Sequence, residues 1–94
     1  MKKKTVINYT QTKNVIFQEV DGLIHILDQK KDAIVTLNDT ATLLWLTLVK
    51  PHSSDALVTE LLKAYEIDSE TATNDVNEFL DTMLKAGFIA KMSN

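Results

Sequence analysis

The chain has 94 residues, of which 45% are apolar and 24% are charged, and its formal net charge is −3. This size and composition predict one ordered domain, and the absence of cysteine excludes disulfides and thiolate metal ligands, which fits a reducing cytoplasm. All ten cationic residues are lysines, so the arginine that typically contacts guanine or phosphate is missing and nucleic acid is a poor partner.

Both ends of the chain are polar. Residues 1–13 are lysine-rich with one short apolar pair, Val6-Ile7, which predicts a loosely ordered arm or, as the alternative, an added edge strand. Residues 91–94 predict a polar tail, so residues 14–90 are left as the folded domain. The lysines at the start precede no apolar segment of a signal peptide, and the run at residues 43–49 is too short to span a bilayer. We therefore expect a cytoplasmic protein without a membrane partner.

Three strand-like runs follow the arm. Residues 15–20 and 23–27 are rich in strand-forming side chains and flank Asp21-Gly22. An Asp-Gly pair in this position predicts a hairpin, because its tight turn needs positive φ angles. A second polar turn leads to residues 33–37, which completes a three-stranded antiparallel sheet with its last strand on one edge.

Three amphipathic helices come next. Asn38, Ser53 or Ser54, and Asp68 or Ser69 are typical N-cap residues. The inward stripes are predicted to be Ala41, Leu44, Trp45 and Leu48; then Leu57, Leu61, Leu62 and Tyr65; then Ala72, Val76, Phe79, Leu80, Met83 and Leu84. Gly87 is typical of a helix C′ position, and residues 88–90 can pack back as a short extended tail. The fold class is therefore α+β and winged helix-turn-helix-like, with a three-stranded sheet followed by three helices.

Few residues have side chains suited to catalysis or to binding a metal or cofactor. His25 lies inside a predicted strand and His52 beside Pro51, and neither has neighbours that predict a zinc site or an activated nucleophile. The two glycines, Gly22 and Gly87, are too far apart to form a phosphate-binding loop. We expect no catalytic residue, no metal and no cofactor, so the chain is not predicted to be an enzyme.

The third helix has the charge of a surface that repels DNA. It contains a single cation, Lys85, and five carboxylates, which are Asp68, Glu70, Asp75, Glu78 and Asp81. In a winged-helix protein this is the recognition helix, which contacts the bases of DNA. The carboxylates on this helix would repel the phosphates of DNA. The predicted edge strand at residues 33–37 is apolar and carries neither proline nor an interior charge. An open edge of this kind favours pairing with an extended peptide.

The sequence resembles the PqqD family along nearly all of residues 14–90. The resemblance rests on Leu37-Asn38 at the end of a strand, Trp45 in the next helix, and Leu57 to Tyr65 in the second helix. It continues with Asp75-Val76 followed by Phe79-Leu80, and it ends on Gly87-Phe88-Ile89. Within this family, the chain looks most like stand-alone recognition proteins of lasso-peptide clusters.

The resemblance implies a precursor-peptide recognition element that is not an enzyme. The leader of a ribosomally made precursor would add as a strand beside residues 33–37 and lie in the cleft next to the third helix. The candidate peptide-binding residues are Ala33, Ile34, Val35, Thr36, Leu37, Val76, Asn77, Leu80, Met83 and Leu84. The expected partners are the leader peptide and a maturation enzyme such as a leader peptidase, a cyclase or a radical enzyme. A weak homodimer could form through the empty edge.

Two other functions are compatible with the same residues. One is a small winged-helix DNA-binding regulator with Asp21-Gly22 in the wing, which a gel shift at low salt would reveal. The other is a docking subunit of a larger enzyme without a peptide ligand. Such a subunit would co-purify with the enzyme but would not respond to leader peptide.

Overall fold

The computed structural model describes residues 6–93, which form two three-stranded antiparallel sheets and three helices. In chain order the elements are β1 (Ile7–Gln11), β2 (Ile16–Val20), β3 (Leu23–Asp28), β4 (Ala33–Thr36), α1 (Asp39–Thr47), β5 (His52–Ser53), α2 (Ser54–Ala64), α3 (Ser69–Ala86) and β6 (Ile89–Ser93). The predicted α+β class, with a three-stranded sheet followed by three helices, is confirmed.

The predicted hairpin supplies the edge strand β2 and the central strand β3 of one sheet, whose strand order is β2-β3-β4. Asp21 and Gly22 have φ angles of 53° and 82°, the positive pair that a type I′ turn requires. A second positive φ, 50° at Asp32, closes the turn into β4. β4 therefore lies at one edge of this sheet, as the sequence predicts.

The three helices begin at capping residues that the sequence indicates. The side chains of Asn38, Ser53 and Asp68 accept hydrogen bonds from main-chain N–H groups three residues further on. At Asp68 the acceptor distance to Thr71 N is 2.7 Å. Hydrogen bonds from the Thr71 main chain and side chain lower the pKa of the Asp68 carboxyl, because they favour its charged form.

The second sheet was not predicted. Its order is β5-β1-β6, so Ile7–Gln11, expected in a loose arm or an edge strand, forms the middle strand. Further hydrogen bonds join β1 to the helices, including the 2.8 Å bond that Gln11 Nε2 donates to Trp45 O. β6 pairs with β1 through Ser93, so the polar residues 91–93 continue this strand beyond the predicted domain boundary at residue 90. Residues 1–5 of the arm and residue 94 of the tail lie outside the described residues.

The core lies between the inner face of β3 and the three helices. Ile24 and Ile26 supply the sheet side of it, and the helices contribute Leu44, Trp45, Leu48, Leu57, Leu61, Ala72, Val76, Phe79, Leu80 and Met83. Trp45 is fully buried, which confirms its prediction as a core residue. Leu62, predicted to face inward, is 39% exposed because the buried stripe of α2 runs through Leu57 and Leu61.

Candidate functional site

The outer edge of β4 offers main-chain groups that its own sheet leaves unused. Leu37 N donates to Ile24 O at 2.8 Å, and the same register pairs Val35 with Ile26. Hydrogen-bonded and non-hydrogen-bonded pairs alternate in an antiparallel ladder, so Ile34 and Thr36 direct their N–H and C=O groups away from β3. Within the described part of the chain, no strand pairs with β4 on that side.

A groove runs beside this edge, between β4 and α3. It consists of two adjoining chambers. The volume of the first chamber is about 300 Å³ and that of the second chamber is about 450 Å³. Val35, Thr82 and Met83 line both, so the chambers form one continuous groove. The first chamber is also lined by Thr36, Leu37, Asn38, Thr40, Ala41, Leu44, Asp75, Glu78 and Phe79. The second chamber is also lined by Asp28, Lys30, Lys31, Asp81, Lys85, Ala86 and Phe88.

One side of α3 supplies the helical wall of the groove. Asp75, Glu78, Thr82 and Ala86 lie three or four positions apart, the spacing that places side chains on one helix face. Their neighbours Phe79 and Met83 form the apolar base of this wall and are almost fully buried. The helix therefore presents a polar rim above an apolar floor.

The structure brings together part of the predicted binding set. Val35, Thr36, Leu37 and Met83 line the groove, and their contact with a peptide stays a prediction. Ala33 and Ile34 lie on the same edge strand without lining either chamber, and the Ile34 side chain is 62% exposed on the outer face of the sheet.

Four of the predicted helix residues lie elsewhere. Val76 and Leu80 are 0% and 5% exposed and belong to the core cluster. Leu84 is half-buried against that cluster, and Asn77 is exposed outside both chambers. These four residues line neither chamber, because Val76, Leu80 and Leu84 belong to the apolar stripe that packs against the core and Asn77 lies on the exposed side of α3. Their part in peptide binding stays a prediction.

The groove residues that the sequence prediction missed are mainly polar. Asp75, Glu78 and Thr82 are absent from the predicted binding residues, although their spacing follows the same helical period as the core stripe. They adjoin that stripe through Phe79 and Met83, and this adjacency is the signal that could have identified them.

The two chambers differ in charge. Asp75 and Glu78 line the first chamber together with uncharged residues. Lys30, Lys31 and Lys85 line the second chamber, together with Asp28 and Asp81. The groove is therefore acidic at its Leu37 end and carries lysines at its Ala33 end.

The two histidines make local hydrogen bonds, and neither lines a chamber of the groove. His25 Nδ1 lies 3.0 Å from Thr36 Oγ1 across the outer face of the sheet, and His52 Nδ1 lies 2.9 Å from Lys50 O. Within residues 6–93 no group of three or more metal-ligating side chains is found, and no helix is long and apolar enough to cross a bilayer. The groove offers main-chain hydrogen bonds, apolar contact and charge.

Fold and groove together define a small α+β domain of winged-helix type with a free strand edge beside a helix-lined groove. The family model described as coenzyme PQQ synthesis protein D (PqqD) matches residues 24–89. The chain belongs to the PqqD family, as its sequence suggests.

Two solved structures share this fold. "TbiB1 in Complex with the TbiA(beta) Leader Peptide" is 16% identical, with a TM-score of 0.75 over 85% of this chain and 93% of that chain. "Lasso peptide synthetase B1 complexed with the leader peptide" is 22% identical, with a TM-score of 0.74 over 87% of this chain and 96% of that chain. No curated protein matches the sequence.

Proposed function

We propose that this protein binds the leader segment of a ribosomally synthesised precursor peptide by strand addition and presents it to a maturation enzyme. The observation that carries the proposal is the pair of outward-facing residues on β4, Ile34 and Thr36, beside a groove. Membership of the PqqD family and the leader-peptide titles of two proteins with the same fold support it.

The main chain of β4 would fix the register of the leader. Ile34 and Thr36 offer two N–H and two C=O groups at the free edge, and each hydrogen bond contributes about 0.5 to 1.5 kcal/mol net. Ala33, Val35 and Leu37 direct their main-chain groups toward β3, so their part in binding would come from side chains. Every second side chain of the bound strand would then point into the groove, because side chains alternate along a strand.

Apolar contacts in the groove would supply most of the affinity. Val35, Phe79 and Met83 form a floor that apolar leader side chains can cover. Ordering a flexible leader costs about 1 to 2 kcal/mol per residue in backbone freedom. The balance favours a dissociation constant of about micromolar or somewhat tighter.

The domain would act without catalysing a step itself. A partner such as a leader peptidase, a cyclase or a radical enzyme would modify the tethered precursor in the cytoplasm. The recognition unit would extend beyond residues 14–90 to include β1 and all of β6, since β1 lies between β5 and β6. The free β4 edge would also allow a weak homodimer when no leader is bound.

Amide hydrogen exchange tests the strand-addition geometry directly. In the free protein, the Ile34 and Thr36 amides should exchange fast, while the Val35 amide is already protected by β3. Saturation with the cognate leader should slow exchange at Ile34 and Thr36 and leave Val35 nearly unchanged, as followed by NMR.

The same measurement can contradict the proposal. If the leader bound with Ile34 and Thr36 still exchanging at their free rates, strand addition at β4 would be wrong. If the protein co-purified with its enzyme but did not bind the leader, it would be a docking subunit without a peptide ligand.

A further inference from the structure

The groove has opposite charges at its two ends, and few of these charges are neutralised within the protein. Asp75 and Glu78 line the first chamber, and neither makes a salt bridge among residues 6–93. A charged ligand placed in this chamber would therefore meet carboxylates that have no cation beside them.

The second chamber is lined by more positively charged side chains than negatively charged ones. Asp28 accepts hydrogen bonds from the main-chain N–H groups of Lys30 and Lys31, at 3.1 and 3.3 Å, which occupies one of its carboxylate oxygens. Asp81 pairs with Lys85 at 3.0 Å. The side chains of Lys30 and Lys31 form no salt bridge within the described residues, so three lysines face two carboxylates at this end and its net charge is positive.

The distance between the two ends sets a spacing on any extended ligand. Ala33, at the lysine end, and Leu37, at the acidic end, are four positions apart along the extended β4 edge, which is about 13 Å. An extended chain advances about 3.3 Å per residue, so it spans this distance in about four residues. Residues four apart on a strand point to the same side and can both enter the groove.

We propose that the groove selects a leader segment with a lysine or arginine in the first chamber and an aspartate or glutamate in the second chamber, about four residues apart. This inference rests on the proposed function, since it assumes an extended peptide beside β4. The two charges would fix the direction of the bound strand, because reversal places each charge beside groups of its own sign.

Two synthetic peptides test this selection without the cognate leader. They share one apolar, strand-forming sequence of about ten residues and carry lysine and glutamate four positions apart, in opposite orders. A third peptide has glutamine at both positions. One charged order should bind about threefold to tenfold more tightly than the other at low ionic strength, and this ratio should fall toward one at about 0.5 M NaCl.

A charge exchange inside the groove should remove most of the preference for one order, because it neutralises the first chamber and makes the second chamber net negative. The variant Glu78→Lys with Lys31→Glu changes two exposed groove residues and keeps the net charge. Its matched control, Glu66→Lys with Lys50→Glu, makes the same exchange at exposed positions outside both chambers and should keep the original preference. Circular dichroism should show both variants folded.

Amide exchange at Ile34 and Thr36 separates the two ways in which the inference can fail. Equal affinity for both orders, with both peptides protecting these amides, would overturn charge selection and leave strand addition intact. If neither the synthetic peptides nor the cognate leader protected these amides, peptide docking at β4 would itself be refuted together with the charge selection.

Discussion

Ile34 and Val35 are neighbours on β4 whose main-chain groups point in opposite directions. The Ile34 N–H faces the free edge, whereas Val35 pairs with Ile26 of β3. Proline is tolerated on an edge strand where its missing N–H would have faced solvent, but not where a ladder bond is lost. This difference allows peptide binding to be tested separately from folding.

Ile34→Pro should weaken leader binding by at least about tenfold, because it removes one edge donor and places a ring where the added strand would lie. Ile34→Ala loses the same exposed side chain but keeps the N–H, and it should bind within about twofold of the parent. Isothermal titration calorimetry measures both affinities. Equal affinities of the two variants would place the leader elsewhere.

Asp68 gives α3 a cap that depends on pH. Because its folded pKa is lowered, its stabilising contribution is present above the ordinary carboxyl pKa of about 3.9 and is lost as the pH falls through the folded value. Asp68→Asn keeps a capping oxygen that does not titrate. The free energy of unfolding of the parent should therefore fall more than that of Asp68→Asn between about pH 6 and about pH 3.

Urea titrations of both proteins at the two pH values measure this difference. All other carboxyl groups are common to the pair, so their titration cancels in the comparison. A parallel loss of stability in the two proteins would mean that Asp68 does not cap α3 through its charge.

At the scale of elements, α3 serves two surfaces at once. Its apolar stripe, which includes Val76 and Leu80, packs into the core, while the adjoining row of Asp75, Glu78 and Thr82 faces the groove. The stripe was evident from the sequence, because apolar residues recur at the helical period. Which flank of the stripe borders a groove depends on where β4 lies, and helical periodicity does not contain that information.

β1 is the element whose importance the sequence conceals. Its residues are mostly polar and partly exposed, yet it pairs with β5 on one side and with β6 on the other. Tyr9→Pro should destabilise the domain by about 3 kcal/mol or more, since it removes a ladder bond from a middle strand. Tyr9→Thr keeps the N–H and a strand-forming side chain, and it should cost clearly less.

Urea unfolding followed by circular dichroism compares the two Tyr9 variants. If both lost the same stability, β1 would not be a paired middle strand, and the predicted loose arm would be the better description of residues 7–11.

At the scale of the whole molecule, one edge and one groove would serve both the leader and a second copy of the chain. We expect a weak dimer through β4, because an unpaired apolar edge pairs readily with another strand. Sedimentation equilibrium should show dimer at high concentration and monomer after addition of leader. Ile34→Pro should stay monomeric at all concentrations. A dimer that persisted both in the presence of leader and in the Ile34→Pro variant would use another surface.

The whole-molecule charge also bears on the winged-helix alternative. α3 occupies the position of a DNA-reading helix, but its exposed side carries Glu70, Glu78 and Asp81 with Lys85 as its single cation. A gel shift at low salt should therefore show no binding to duplex DNA, since non-specific affinity depends on cationic contacts with phosphate.

The sequence by itself determined the local features: the Asp21-Gly22 turn, the three helix caps, the apolar stripes, the edge position of β4 and the resemblance to the PqqD family. The turn, the caps and the stripes depend on residues close together in the chain, where φ preference, capping and periodicity act directly, and the resemblance depends on such local patterns recurring in order. Three features are evident only in the folded protein: the second sheet, the main-chain directions along β4 and the charge difference between the two chambers. These features join residues as distant as Gln11 and Ile89, or Lys31 and Lys85. Such contacts arise when packing of the core brings separate elements together, and no local pattern specifies them.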